Sequence, residues 1–112
     1  MSARRGEVWL VNLDPVEGHE QAGRRPALVL SVDDFNANPA GLVTVLPITT
    51  DARALRTRVE ILAPEGGLMA TSYVICEQTR TISTRRLGIA LGTVTPATMA
   101  KVDEIVRVLL GL

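Results

Sequence analysis

The stretch GIALGTVTPATMAKVDEIVRVLL (88–110) decides the fold, because a β-type pattern gives way to a helical one within it. After Pro96, apolar residues recur every three or four positions, which places them on one face of an α-helix. Thr95 can cap this helix, and Pro96 suits its first turn. The predicted apolar face consists of Met99, Val102, Ile105, Val106, Leu109 and Leu110. The pattern therefore predicts a C-terminal helix that packs one face against the preceding structure.

Short β-like runs precede this helix, and turn residues separate them. Pro47 indicates either that the run 42–48 is an edge strand or that the proline lies near the end of the strand. Residues 33–41 (DDFNANPAG) are predicted to form a loop, and Gly66-Gly67 a turn. The predicted strands are 7–13, 26–32, 42–48, 57–63, 72–82 and 88–94, of which 72–82 is long enough to bend. We therefore expect one mainly β domain over residues 1–112, in which a small bent sheet or partly open barrel carries the C-terminal helix.

The composition limits the functions that the chain can have. Its 112 residues carry a net charge of +0, so any nucleic-acid binding has to use a local basic patch. Eleven of the twelve basic residues are arginine, and Lys101 is the exception. Arginine suits bidentate contacts with phosphate or carboxylate, where lysine offers a point charge. Aromatic residues make up only 3% of the chain, which predicts an aliphatic core.

The sequence contains no recognisable metal or cofactor motif. One histidine and one cysteine cannot build a zinc site, and HExxH, CxxC and a glycine-rich phosphate loop are all missing. We therefore predict neither a metal nor a cofactor. His19 is expected to be a solvated loop residue, and Cys76, inside the apolar run SYVIC, a buried thiol. No signal peptide or membrane span is apparent, which predicts a soluble cytoplasmic protein with no membrane partner.

Two adjacent arginines stand between a polar loop and an apolar run in GHEQAGRRPALVLS (18–31). An unpaired guanidinium is costly to bury, so Arg24 and Arg25 are expected at a rim, beside a partner. Gly23 lets the chain turn before them, and Pro26 fixes the backbone next to Arg25. A solvated arginine pair on an edge strand would also account for this pattern.

Two threonines, Thr49 and Thr50, close the run VLPITT. Strand ends and loops often carry functional side chains, which makes this pair a candidate. A strand-terminal turn, in which the hydroxyl groups bond the backbone, explains the same residues without a function.

Three segments taken in order are more specific: RRGEVWLVNLDPVEGHEQAGRRPALVLS (4–31), VLPITT (45–50) and SYVICEQTRTIS (72–83). Together they resemble the MazF/PemK-like toxin family, ribosome-independent RNA endonucleases of type II toxin–antitoxin systems. The resemblance runs from Arg5 to the C-terminal helix. It implies a small SH3-like (CcdB/PemK-type) β-barrel of five to seven short strands with a C-terminal helix. It also implies a homodimer and a cognate MazE-like antitoxin whose acidic, disordered tail neutralises the toxin.

The resemblance assigns roles to individual residues. The arginine of the family's G.RP motif falls on Arg25, and the threonine of its P.T strand end falls on Thr49, so these two are the implied catalytic residues. The implied RNA-binding residues are Glu20, Gln21, Arg24, Thr50, Ser72, Glu77, Gln78, Arg80 and Arg86.

The implied reaction is metal-independent cleavage of single-stranded RNA, mRNA included. The ribose 2′-hydroxyl attacks the adjacent phosphorus and the 5′-oxygen leaves, giving a 2′,3′-cyclic phosphate and a 5′-hydroxyl. A fixed guanidinium beside a hydroxyl donor stabilises the charge that builds on the phosphoryl oxygens. Because a guanidinium is a poor base, Arg25 is expected to stabilise charge and to protonate the leaving oxygen. Glu20 is a candidate acceptor for the 2′-hydroxyl proton.

Two other functions are compatible with such a fold. A CcdB-like gyrase-inhibiting toxin would be a binding protein and would not need Arg25 and Thr49 together. A non-catalytic SH3-like RNA-binding module would be expected to carry stacking aromatic residues, and this chain has only Trp9, Phe35 and Tyr73. Incubating the pure protein with a long RNA, in the absence of gyrase, separates the enzyme from both alternatives.

Overall fold

The computed structural model describes residues 2–53 and 55–112. Seven strands and two helices follow one another along the chain: β1 (Glu7–Asn12), β2 (Arg24–Val29), α1 (Asp33–Asn36), β3 (Leu42–Thr49), β4 (Arg58–Ile61), β5 (Ser72–Ile75), β6 (Arg80–Ser83), β7 (Leu87–Thr93) and α2 (Pro96–Leu110). Short 3₁₀ turns occupy Glu65–Gly67, Cys76–Gln78 and Thr84–Arg86. The mainly β fold with a C-terminal helix is therefore confirmed.

All strands belong to one antiparallel sheet in the order β4-β5-β3-β2-β1-β7, and β6 pairs with the first half of β3. In the described part of the chain no pairing joins β4 to β7, so the sheet is bent but not closed. The run 72–82 bends as expected, since a 3₁₀ turn at Cys76–Gln78 separates β5 from β6. A partly open barrel is thus the correct description of the predicted SH3-like form.

The sequence left two alternatives for Pro47, and the structure selects the second: β3 lies inside the sheet, and Pro47 is near the end of the strand. On one side β3 pairs with β2, and on the other it pairs first with β6 over Leu42–Val45 and then with β5 from Ile48. Pro47 stands where β3 changes partner, two residues before the strand ends at Thr49. A residue without an N–H group is tolerated more readily near the end of a strand, where the pairing partner changes, than in the middle of a continuous ladder.

Helix α2 begins as the sequence predicts. The Thr95 side chain accepts a hydrogen bond from the Thr98 N–H, at 3.2 Å, and Pro96 is the first helical residue. The predicted apolar face packs only in part. Met99, Val102 and Val106 are buried, whereas Leu109 and Leu110, in the last turn of the helix, are 43% and 60% exposed.

Two contacts fasten α2 to the rest of the molecule. The Arg5 guanidinium donates to both carboxylate oxygens of Asp103, at 2.5 and 2.6 Å. At the start of the helix, the Glu65 carboxylate accepts hydrogen bonds from the Thr95 backbone N–H at 3.1 Å and from the Thr98 hydroxyl at 2.5 Å. Burial opposes the charged form of Glu65, but these hydrogen bonds and Lys101 outweigh it and lower its pKa.

The turn that carries Glu65 depends on glycine, as predicted for Gly66-Gly67. Gly67 has φ of 73°, and a Cβ atom there would lie 1.9 Å from the Leu91 carbonyl oxygen. Only a residue without a side chain allows this turn to approach the backbone of β7 so closely.

Segment 33–41, predicted as a loop, contains one helical turn, α1. The cause is Asn36, which is 3% exposed and whose side-chain amide donates to the carbonyls of Ala3 and Ser31, both at 3.0 Å. These bonds hold the turn against the sheet, a tertiary effect that the local composition does not contain.

The core is aliphatic, as the composition predicts, and forms two clusters on opposite faces of the sheet. The cluster beneath α2 includes Leu46, Ile48 and Val102, and the other includes Val11 and Val45. The predicted buried thiol is confirmed: Cys76 is 2% exposed, and burial raises its pKa to about 12. None of the described helices is long and apolar enough to cross a membrane.

Candidate functional site

Arg25 and Thr49 lie on neighbouring strands, just beyond the end of the ladder that joins these strands. The pairing of β2 with β3 ends where Ala27 lies opposite Pro47, and Arg25 and Thr49 each lie two residues further along, towards the same end. Because side chains two residues apart on a strand point to the same face of the sheet, Arg25 shares the face of Ala27, and Thr49 shares the face of Pro47. The strand ends therefore bring a guanidinium and a hydroxyl to one edge of the sheet.

Arg25 is held by the strand and by the loop before it. Strand β2 begins at Arg24 and not at Pro26 as predicted, so both arginines are strand residues, and Arg25 pairs with Val11 of β1. Its Nε donates to the Ala22 carbonyl oxygen, at 3.0 Å. Within residues 2–53 and 55–112, no ion pair neutralises it. The guanidinium is thus half-buried at a rim, as expected, and the partner beside it is a backbone carbonyl, which leaves its charge available.

The predicted turn before this strand is present, since Gly23 has φ of 77°. Its N–H donates to the Asp14 carboxylate at 2.9 Å, and its carbonyl accepts from the Leu13 N–H at 3.0 Å. These two bonds join the start of the loop between β1 and β2 to its end, next to Arg24 and Arg25.

Thr49 is half-buried at the last position of β3, and Thr50 beyond it is exposed. The Thr49 hydroxyl oxygen accepts a hydrogen bond from the Asp51 N–H, at 3.1 Å. A hydroxyl that accepts from the backbone still has its own proton to donate. The strand-terminal turn considered for this pair is thus present, and it leaves Thr49 able to act as a donor.

Gln78 joins the loop between β1 and β2 to the 3₁₀ turn Cys76–Gln78. Its side-chain oxygen accepts from the Gln21 backbone N–H at 2.7 Å, and its side-chain nitrogen donates to the His19 carbonyl at 3.2 Å. Gln21 and Gln78, both predicted to bind RNA, therefore lie together. The side chain of His19 is exposed, as expected.

Two more of the predicted arginines support the same loop. Arg80 donates to the Leu13 carbonyl oxygen at 3.3 Å, and Arg86 donates to the backbone carbonyls of Asn12 and Asp14. Arg86 and Arg24 also line a cavity of about 290 Å³, together with Arg85 and one carboxylate, that of Asp14. Sequence reasoning missed Arg85, although its position beside Arg86 was a signal for a basic patch.

Three more of the residues predicted to bind RNA make hydrogen bonds with other parts of the protein. Glu20 is exposed, and its carboxylate accepts from the Glu17 N–H at 2.6 Å. The Glu77 carboxylate accepts from the Thr57 hydroxyl at 2.8 Å. Ser72 is 3% exposed, and its hydroxyl donates to the Ala70 carbonyl at 2.8 Å.

Ser72 lies apart from the other predicted site residues. Thr49 pairs with Tyr73, so Tyr73 shares the face of Thr49, and the neighbouring Ser72 points to the opposite face. Ser72 pairs there with Ile61, a member of the cluster beneath α2. In this structure Ser72 is a core residue.

Arg58 was also missed by sequence reasoning. Its side chain is only 7% exposed, and it lines a cavity of about 450 Å³ together with Gln21, Glu77 and Gln78. An arginine in the alternating run TRVEILA is indistinguishable by pattern from a solvated one, so only the tertiary structure reveals its burial. The described residues contain no group of three or more histidine, cysteine, aspartate or glutamate side chains that could hold a metal.

Comparison with known proteins finds relatives that resemble this chain in sequence and in structure. The family described as PemK-like, MazF-like toxin of type II toxin-antitoxin system matches residues 4–110. Endoribonuclease MazF9 of Mycobacterium tuberculosis is 39% identical over 114 residues, covering 97% of each chain.

Two solved structures share the fold. A MazF crystal structure from Deinococcus radiodurans superposes with a TM-score of 0.90 at 31% identity, covering 100% of this chain and 99% of that chain. A mycobacterial endoribonuclease in complex with its cognate antitoxin gives a TM-score of 0.82 at 31% identity, covering 98% and 96%. The chain belongs to the PemK-like, MazF-like family of toxins from type II toxin–antitoxin systems.

Proposed function

We propose that this protein is the toxin of a type II toxin–antitoxin system and that it cleaves single-stranded RNA without a metal ion. Arg25 and Thr49 are its catalytic residues. The protein acts in the cytoplasm as a homodimer of a single-domain chain, and a cognate MazE-like antitoxin neutralises it.

The observation that supports the proposal is that Arg25 and Thr49 point to the same face of the sheet, each two residues beyond the last pair of the β2–β3 ladder. In-line attack of the 2′-hydroxyl on phosphorus forms the 2′-O–P bond and breaks the P–O5′ bond. Negative charge grows on the phosphoryl oxygens and on the departing 5′-oxygen. A guanidinium and a hydroxyl fixed on one face can donate to these oxygens with little reorganisation, which is how pre-organised donors accelerate such reactions.

The neighbouring groups supply binding. Arg24, Arg85 and Arg86 line one cavity with a single carboxylate, so that cavity carries an excess of positive charge suited to a phosphate. The loop that carries Glu20 and Gln21 is tethered by Gln78 beside the reacting groups. Phosphate contacts fix the register of the RNA in this arrangement, and base contacts select its sequence.

The relatives favour an enzyme over the CcdB-like gyrase inhibitor. MazF9 and its Bacillus subtilis relative EndoA carry the name endoribonuclease, and solved MazE–MazF structures from Deinococcus radiodurans pair such a toxin with its antitoxin. Arg25 and Thr49, which match the family's G.RP motif and P.T strand end, lie on β2 and β3 of this chain.

End-mapping of a long RNA, incubated with the pure protein and EDTA, tests the proposal. We expect cuts at a short recurring motif, with 5′-hydroxyl and 2′,3′-cyclic phosphate ends and undiminished rates in the chelator. A duplex of the same sequence should resist, because its bases cannot be splayed out to be read. Ligatable 5′-phosphate ends, or loss of activity in EDTA, would contradict the mechanism.

A further inference from the structure

A second polar cavity, of about 450 Å³, lies beside the loop between β1 and β2. Its wall includes Gln21, Asp51, Arg53, Arg58, Glu77 and Gln78. This volume falls within the range of pockets that bind small organic groups.

The guanidinium of Arg58 is the unusual feature of this wall. The side chain is 7% exposed, and its Nε is buried with no hydrogen-bond partner in the described part of the chain. Its one recorded contact joins its terminal nitrogen to the Glu77 carboxylate at 3.4 Å, a long and weak bond. Because nearly all buried polar groups in folded proteins are paired, a guanidinium left this poorly satisfied indicates a partner that arrives with a ligand.

The charges of the cavity decide what kind of ligand it takes. Arg53 pairs with Asp51 at 2.9 Å, and Arg58 faces Glu77, so two cations balance two carboxylates. A phosphate or an acidic side chain entering here would meet both carboxylates. A neutral heterocycle that carries both donors and acceptors meets no such repulsion. The cavity therefore differs from the basic one lined by Arg24, and it suits a nucleobase.

The cavity also lies next to the catalytic pair along the chain. Asp51 in its wall donates its N–H to the Thr49 hydroxyl, and Gln21 is adjacent to Ala22, which accepts from Arg25. The cavity wall is therefore continuous, along the chain, with the backbone groups that hold Arg25 and Thr49.

We propose that this cavity receives one splayed base of the RNA and that Arg58 is a specificity-determining residue. The inference rests on the proposed function. Arg58 donates to an acceptor on the Watson–Crick edge of the base, and Glu77 accepts from a neighbouring donor. Glu77 is held for this role by the Thr57 hydroxyl on one oxygen and by Arg58 on the other.

The order of donor and acceptor in the cavity selects the base. Guanine and uracil present an exocyclic oxygen beside a ring N–H, whereas adenine and cytosine present an exocyclic amino group beside a ring nitrogen acceptor. One fixed order of Arg58 and Glu77 fits one of these classes and leaves an unpaired donor or acceptor with the other. The cleavage motif should therefore contain one position that separates G and U from A and C.

Sequencing of cleavage products from a randomised RNA pool tests this with the full-length protein. We expect Arg58→Gln to reduce the preference at that single position by about tenfold, the scale of one good base contact, while other positions of the motif keep theirs. Arg56→Gln is the matched control, because it removes the same charge two residues earlier from an exposed side chain and should leave the motif unchanged. A folded, active Arg58→Gln protein with an unaltered motif overturns the inference and leaves the proposed function intact.

A second measurement avoids a variant that fails to fold. In the wild-type protein, the Arg58 Nε–H resonance should shift when a 2′-O-methyl RNA of the cleaved motif is added, and should not shift when the base at the discriminating position is exchanged for one of the other class. An unmoved resonance, despite bound RNA, overturns the inference. A shift produced by an acidic peptide and not by RNA overturns it in favour of an antitoxin site. If the wild-type protein cuts no RNA in EDTA, that result contradicts the proposed function itself, on which this inference rests.

Discussion

Arg25 and Thr49 point to the same face of the sheet, each two residues beyond Ala27 and Pro47, the last pair of the ladder between β2 and β3. The bond from the Arg25 Nε to the Ala22 carbonyl orients the guanidinium, and the Asp51 N–H orients the Thr49 hydroxyl. Each side chain is thus held by a backbone group before any substrate arrives, which is the condition for electrostatic stabilisation of a transition state.

Removing Arg25 should therefore abolish most of the cleavage activity. We expect Arg25→Ala to lower turnover by about 10²-fold or more, the scale for loss of one pre-organised donor. Arg25→Lys should restore only part of the rate, because lysine lacks the planar fork that contacts two oxygens. The measurement is single-turnover cleavage of a short RNA by folded, dimeric variants. Near wild-type rates for Arg25→Ala would remove this residue from the site.

Thr49→Ala should cost less than Arg25→Ala, since a neutral donor contributes less than a charged one. Thr49→Ser keeps the hydroxyl and should retain most of the activity. Thr71→Ala, which changes an exposed threonine just before β5, is the control in the same assay. Equal losses for the alanine variants at both threonines would indicate a general effect of the substitution and not a role of the Thr49 hydroxyl.

The hydrogen bonds of the Gln78 side chain should restrict the motion of the loop between β1 and β2. Gln78→Ala removes the bonds to Gln21 and His19, which should speed amide exchange at Gln21 by about tenfold and lower the cleavage rate. Gln21→Ala is the control, because the donor is its backbone N–H and survives the substitution. Hydrogen-exchange NMR measures both variants; equal protection at residue 21 in wild type and Gln78→Ala would contradict the tether.

The lowered pKa of Glu65 predicts that the stability of the protein depends on pH. Its pKa is lower in the folded state than in the unfolded chain, so its contribution is present above the unfolded value near 4.5 and is lost as the pH falls through the folded value. Glu65→Gln should lower the free energy of unfolding by about 1 kcal/mol at pH 7 and by much less at pH 3. Urea unfolding at both pH values measures this difference. Glu104→Gln, on an exposed part of α2, should change little at either pH.

Cys76 should be unreactive while the protein is folded. Burial raises its pKa to about 12, so the thiolate that alkylating reagents attack is scarce at pH 8. Iodoacetamide labelling followed by mass spectrometry should rise only with urea-induced unfolding. Rapid labelling of the native protein would show that the sheet opens locally at this residue.

The sequence predicts the elements of this fold better than their arrangement. Local signals suffice for α2, because Thr95, Pro96 and the apolar spacing lie within one segment. They leave two alternatives for Pro47, because its place in an interior strand depends on three partner strands. They fail for Asn36, whose amide bonds to the Ala3 and Ser31 carbonyls hold α1 against the sheet.

The residues of the candidate site could likewise be predicted from the sequence only in part. The local pattern made both arginines and both threonines candidates, but the choice of Arg25 and Thr49 depends on the family signature. Nothing in the local sequence places residues 24 positions apart on one face of neighbouring strands. The burial of Ser72 and of Arg58 could not be foreseen, because alternation along a short strand does not say which face is covered. Polar residues in such strands have to be located by structure.

The basic cavity leads to a last prediction, about the antitoxin. Arg24, Arg85 and Arg86 line it with Asp14 as the single carboxylate, so aspartate and glutamate side chains can occupy the positions of RNA phosphates. A disordered acidic tail that orders on this surface would compete with RNA for the Arg24–Arg25 rim.

An acidic peptide from the cognate antitoxin should therefore displace a labelled, uncleavable RNA from the toxin. Its association rate should fall steeply with salt, because charges at the surface steer the encounter and are screened beyond about 10 Å at 0.1 M. The variant Arg24→Ala/Arg85→Ala should weaken peptide and RNA together and flatten the salt dependence of both. Arg107→Ala, an exposed arginine on α2, should affect neither. If peptide and RNA bind at the same time without weakening each other, the two do not share this rim and the antitoxin inhibits from a distance.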